Sequence, residues 1–121
     1  MRRREFITLI GGAAAVVLSA PLFSYNRQIV IERAAALRLP TIYEWPEMVE
    51  EGGLIGYGPH LSLIFRQLAR LIVKVLHGVK PEDIPVEQPT KFDLIVNLKT
   101  AKALGLTIPE SLLTRADEVI E

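Results

Sequence analysis

Apolar positions recur at helical spacing most clearly in one segment, where Leu61, Ile64, Phe65, Leu68, Ile72 and Val75 form a stripe and Arg66, Gln67, Arg70 and Lys74 fall mostly opposite. Pro59 suits a first turn, Gly78 a left-handed end and Pro81 a stop, so the spacing predicts a helix from Pro59 to about His77. Such a stripe, taken alone, covers a sheet and is expected in the core. A second helical pattern begins at Asn26, a candidate cap. It carries Val30, Ala34 and Leu37 against Arg27, Glu32, Arg33 and Arg38, and stops at Pro40.

The β-branched and aromatic run Thr41-Ile42-Tyr43 predicts a short strand, and Leu54-Ile55-Gly56-Tyr57 another. Between them Glu47-Met48-Val49-Glu50 fits one helical turn broken by Gly52-Gly53. Residues 92–98 alternate, which predicts a strand burying Phe92, Leu94, Val96 and Leu98. A short helix over 99–104 closes at Gly105. Thr107 with Glu110 makes a capping-box pattern, and Asp117-Glu118-Val119-Ile120 predicts an edge strand. Helices alternating with strands make the expected class α/β.

The first twenty residues read as an export signal: Arg2-Arg3-Arg4, an uncharged run over 6–18, then Ser19-Ala20. Arg3-Arg4 followed by Glu5 and Phe6 has the twin-arginine form, with Arg3, Arg4 and Phe6 as its signal residues. An arginine-rich secretory signal is one alternative. A retained anchor is another, because no charge falls between Glu5 and Arg27, close to the roughly twenty residues that span a bilayer. Leu18 and Pro21 also fit a cleavage end poorly. The expected division is a signal or uncleaved anchor over 1–25 and a domain over 26–121.

Composition narrows the function. The chain has 121 residues, half of them hydrophobic, and zero formal net charge, so nothing electrostatic points to nucleic acid. The absence of cysteine excludes disulfides, thiolate metal sites and a cysteine nucleophile. No nucleophile elbow, phosphate loop or zinc motif occurs, so neither an enzyme nor a cofactor is expected. His60 and His77 stand at opposite ends of the long helix, on the order of 25 Å apart, and cannot share a metal. The carboxylates Glu47, Glu50 and Glu51 read as solvated surface.

Two groups follow predicted strands: Tyr43-Glu44-Trp45 and Tyr57-Gly58-Pro59. Ligands of open α/β sheets sit beyond the carboxyl ends of strands, where aromatic rings and a carboxylate suit a small organic solute. Glu44, Trp45 and Tyr57 are therefore the candidate ligand-binding residues. The alternative is that Trp45 and Tyr57 only cover the end of the sheet.

Over residues 27–121 the chain resembles the C-terminal part of ABC-transporter substrate-binding proteins. The resemblance is carried by Pro85-Val86-Glu87-Gln88-Pro89-Thr90-Lys91-Phe92 and by Asn97-Leu98-Lys99-Thr100-Ala101-Lys102-Ala103-Leu104-Gly105-Leu106. It implies a Rossmann-like, two-lobed periplasmic receptor that closes on an amino acid or related solute and delivers it to an ABC permease in the inner membrane. It also implies that most of the first lobe and much of the second are missing between the signal and Arg27, leaving an incomplete fold. Unpaired edges and an uncovered apolar face over 61–75 are then expected, with self-association. Other classes consistent with the chain are a membrane-anchored interaction module and a gene fragment without activity.

Overall fold

In the computed structural model, which describes residues 13–121, five short strands form one sheet in chain order. The elements are β1 (Ala15–Val17), α1 (Pro21–Tyr25), α2 (Arg27–Ala36), β2 (Thr41–Tyr43), α3 (Pro46–Glu50) and β3 (Ile55–Gly58). Then come α4 (Leu61–Leu76), a 3-10 turn (Pro81–Asp83), β4 (Asp93–Asn97), α5 (Leu98–Ala103), α6 (Glu110–Leu113) and β5 (Glu118–Ile120). β1, β2 and β3 run parallel, β4 is antiparallel to β3, and β5 is parallel to β4.

Register explains the two cores. Tyr43, Gly56 and Ile95 stand side by side on the face crossed by α3, whereas Ile42, Ile55 and Val96 share the other. The second face packs Leu54, Ile55, Leu94 and Val96 against Ala101, Ile108 and Leu112 from α5, α6 and the loop between them. On the first face Ile31, Tyr43 and Met48 form a smaller cluster with Val17, Val30 and Trp45 around it. Asn97 joins the layers: its Oδ1 accepts from the Thr100 amide at 3.0 Å, capping α5, and its Nδ2 donates to the Val49 carbonyl at 3.2 Å.

Four sequence expectations change. All five residues of β4 are buried, because helices cover both faces of this strand, and Phe92 lies outside it, 48% exposed. The capping box at Thr107 does not form: Pro109 is the N-cap of α6 and no side chain caps it. Asn26 stands at the N-cap of α2, but its amide donates backward to the Leu22 carbonyl at 2.8 Å. In α4 no residue is buried, and Phe65 is 62% exposed, because among the described residues no element packs on its stripe. Its C-terminal end is as expected, with Gly78 at φ 95°.

The largest difference lies at the N-terminal side. The apolar run expected within a signal or anchor helix over 1–25 is a sheet strand at Ala15–Val17, paired in register with Thr41–Tyr43. Ala15 donates to the Pro40 carbonyl at 2.9 Å and Glu44 donates to the Val17 carbonyl at 3.3 Å. A β-branched pair, Val16-Val17, beside an open edge of parallel sheet is better satisfied extended than helical. Arg3, Arg4 and Phe6 lie outside the described residues. Among the described residues no helix is long and apolar enough to cross a membrane.

Candidate functional site

Parallel pairing brings the carboxyl ends of β1, β2 and β3 to one rim of the sheet. The antiparallel β4 starts at that rim, with Asp93 opposite Gly58. Ser19, Glu44, Tyr57, His60, Lys91 and Phe92 thus come together from four chain segments. Their approach is close enough to dictate a glycine: a Cβ on Gly58 would stand 1.9 Å from the Glu44 carbonyl oxygen.

At the root of α4 a polar pin is built from three elements. His60 precedes the helix, with Nδ1 3.3 Å from Glu47 Oε1 of α3 and Nε2 3.2 Å from Asp93 Oδ2 of β4. Glu47 Oε1 also accepts from the Leu61 amide at 2.8 Å, so a carboxylate 14 residues upstream takes one of the helix's unpaired N–H groups. Lys91 Nζ, 3.4 Å from Asp93 Oδ2, adds a positive charge. The other oxygen of Glu47 is buried without a hydrogen-bond partner.

The structure places Glu44, Trp45 and Tyr57 at this rim in different surroundings. Glu44 accepts from the Ser19 amide and so ties the loop after β1 to the loop after β2. Trp45 packs against the Ile31, Tyr43 and Met48 cluster, and its indole N–H is buried without a partner. Tyr57 is 41% exposed and pairs with Phe92, ring centroids 6.0 Å apart and planes inclined by 33°. Trp45 therefore faces the core side of the rim, while Tyr57 and Phe92 leave an aromatic surface open. Behind them burial pushes the Tyr43 hydroxyl above its ordinary pKa, partly offset by a hydrogen bond with Thr41.

A cavity of about 410 Å³ opens beside the rim, between α4 and the strap formed by residues 87–91. Pro59, Leu63 and Ile64 line one wall, and Pro89, Thr90 and Lys91 the other. Glu87 closes its far end, accepting from Gln67 Nε2 at 3.0 Å and from Arg70. Desolvation raises the Glu87 pKa, but the hydrogen bonds from Arg70 and Gln67 and the charges of Arg70 and Lys74 outweigh it, leaving the carboxyl below its usual range.

Sequence reasoning missed His60, Asp93 and Lys91 as rim residues and took Glu47 for solvated surface. Of the three glutamates read that way, Glu50 is exposed and Glu51 pairs with Arg27 at 2.7 Å. Pro59-His60 immediately after a strand was the available clue. The Asp93 partner had none, since it stands 33 positions after His60 and the contact depends on β4 running antiparallel to β3. Among the described residues no group of three or more His, Asp or Glu is arranged to hold a metal ion. The rim offers hydrogen-bonding carboxylates, a histidine, a lysine and an aromatic face. Such groups recognise a polar organic molecule with an apolar part.

Comparison with known proteins agrees in fold. A conserved domain protein from Vibrio cholerae superposes with a TM-score of 0.81 at 26% identity, covering 90% of this chain and 37% of that one. An ABC domain in complex with L-Trp from Streptococcus pneumonia superposes with a TM-score of 0.74 at 30% identity, covering 87% of this chain and 36% of that one. A ligand-free, open substrate-binding protein with adhesive properties from Clostridium difficile gives 0.54 at 26% identity, covering 97% and 39%. The chain thus spans under two-fifths of the length of each of these solved structures. A search of curated proteins found no match. The family described as ABC transporter substrate binding protein matches residues 11–120, from just before β1 to the end of β5. With all five strands and the helices on both faces of the sheet inside that match, the chain belongs to the ABC transporter substrate-binding protein family.

Proposed function

We propose that this chain supplies the solute-recognising rim of the C-terminal part of an ABC-type receptor, and that its ligand is a small organic solute such as an amino acid or a related compound. The observation that carries this reading is the open Tyr57–Phe92 aromatic pair at the rim where the carboxyl ends of the parallel strands meet Glu44. Tyr57 and Phe92 stack on the apolar part of the solute, and Glu44 pairs with its ammonium or hydroxyl group. Trp45 supports the rim from the core side. The solved relative with L-Trp bound supports this chemistry.

Family members are generally periplasmic. Export through the Arg3-Arg4-Phe6 segment and delivery to an inner-membrane permease complete the proposal. Calorimetry of the full chain against a panel of L-amino acids and small aromatic solutes tests the binding claim. Saturable heat that Tyr57→Ala abolishes supports it; no heat for any solute overturns it. N-terminal mass spectrometry with cell fractionation in an exporting host tests the location, and a product confined to the cytoplasm counts against export.

A second reading, an interaction module, is favoured by the apolar side of α4, which no element among the described residues covers.

A further inference from the structure

His60 is held from two sides, with Nδ1 3.3 Å from Glu47 Oε1 and Nε2 3.2 Å from Asp93 Oδ2, so each ring nitrogen faces a carboxylate oxygen. A neutral imidazole has a proton on one nitrogen and a lone pair on the other, whereas the charged ring donates from both. Only the charged ring can therefore hold both carboxylates. The charged groups around it are Glu47 from α3, Asp93 from β4 and, behind Asp93 at 3.4 Å, Lys91 Nζ. These groups do not lose equally when the ring gives up a proton. Glu47 already has one buried oxygen without a partner, while Asp93 keeps Lys91. The remaining proton is thus better used on Nδ1, toward Glu47, and the contact given up is the one to Asp93.

The same two chain segments carry the aromatic pair. Tyr57 and His60 flank Gly58-Pro59, and Phe92 immediately precedes Asp93. The ladder between β3 and β4 ends at the Gly58 and Asp93 pair, so Phe92 lies beyond it and is placed by the ring contact and by the Asp93 it precedes. The ring pair and the imidazole contact therefore close one junction, Tyr57 to Phe92 and His60 to Asp93. We propose that His60 is a proton-dependent positioning residue for the Tyr57–Phe92 pair. The charged ring draws Asp93 toward the root of α4 and keeps Phe92 against Tyr57; loss of the Nε2 proton releases Asp93 and loosens the pair. The contribution is present at mildly acid pH and is lost as pH rises, while carboxylates stay ionised throughout, since their ordinary range lies near pH 4. Its effect on solute affinity rests on the proposed function, whereas the ring contact is read without a solute.

NMR of the full chain at about pH 5.5 and about pH 8, the range over which histidine ordinarily changes charge, tests it. At the lower pH both ring nitrogens of His60 carry protons and the Tyr57 and Phe92 rings show Overhauser contacts with each other. At the higher pH Nε2 is unprotonated and those contacts weaken at least about twofold. The chain has two histidines, which allows a clean control. His77→Gln, beyond the other end of α4, keeps the pH response, and His60→Gln abolishes it. Calorimetry with L-tryptophan at both pH values reads the consequence: affinity at least about threefold lower at the higher pH in the wild type, and independent of pH in His60→Gln. Ring contacts that are unchanged between the two pH values overturn the proposal, and so does a pH response that survives in His60→Gln. In the wild type, an unprotonated Nε2 at the lower pH overturns it without recourse to any variant. Ring contacts that respond as expected, with no heat from L-tryptophan at either pH, support the positioning role and count against the solute-binding function instead.

Discussion

His60 Nε2 lies 3.2 Å from Asp93 Oδ2, joining the residue before the longest helix to the first residue of the strand that returns from it. The contact closes a loop of the chain at the point where α4 leaves the sheet. With Glu47 on the other imidazole nitrogen, it sets the direction in which the helix projects.

Removing the Glu47 carboxylate takes a partner from His60 and from the Leu61 amide together. Glu47→Ala is expected to cost about 1 to 2 kcal/mol, the range of a lost helix cap. Urea unfolding measures the cost, and amide hydrogen exchange shows faster exchange at Leu61 with little change at Ile95.

Gly58→Ala places a Cβ 1.9 Å from the Glu44 carbonyl oxygen, a backbone atom that can move only if the β2 end moves with it. A loss of about 3 kcal/mol or more is expected from this overpacking. A thermal melt followed by circular dichroism checks it. A variant as stable as the parent would mean that the two strand ends are not held together.

Removal of residues 1–20 deletes β1 and exposes the β2 edge. The truncation is expected to lower the urea midpoint relative to the full chain and to increase aggregation. Equal midpoints would make β1 dispensable.

Glu87 has its pKa lowered in the folded chain, so its contribution is fully present above the unfolded carboxyl value and is lost as pH falls through the lower folded one. The strap over 87–91 should therefore stay on α4 at neutral pH and loosen only in acid below the ordinary carboxylate range. Carboxyl NMR titration checks this. In Arg70→Ala the Glu87 midpoint is expected to rise, because the guanidinium that favours the charged form is gone.

Much of the chain was legible where its chemistry is local. Thr41–Tyr43 forms the strand that its β-branched and aromatic residues predict, and α4 stops where Gly78 allows a left-handed turn. Tyr57 was found as a rim aromatic because it follows β-type residues and precedes Gly-Pro. Phe92, its ring partner, was read as core, since alternation along one strand does not reveal that helices cover both faces and that the pair stands at the open end. Ala15–Val17 was read as part of an apolar helix because a short apolar run fits helix and strand alike.

Residue pattern alone determined the order of helices and strands from Arg27 onward, the absence of cysteine chemistry and, through its 85–106 wording, the family. Those properties rest on turn residues, periodicity and side-chain identity within a few positions of each other. Only the tertiary structure decided that Val16 and Val17 extend the sheet and that Asp93 meets His60. It also decided that the α4 stripe, ordered like a core helix, faces no partner among the described residues. Each of these depends on which strand lies beside which and in what direction, and on whether a second layer arrives to cover a face. Such relations are set by segments far apart in the chain, and local spacing carries no record of them.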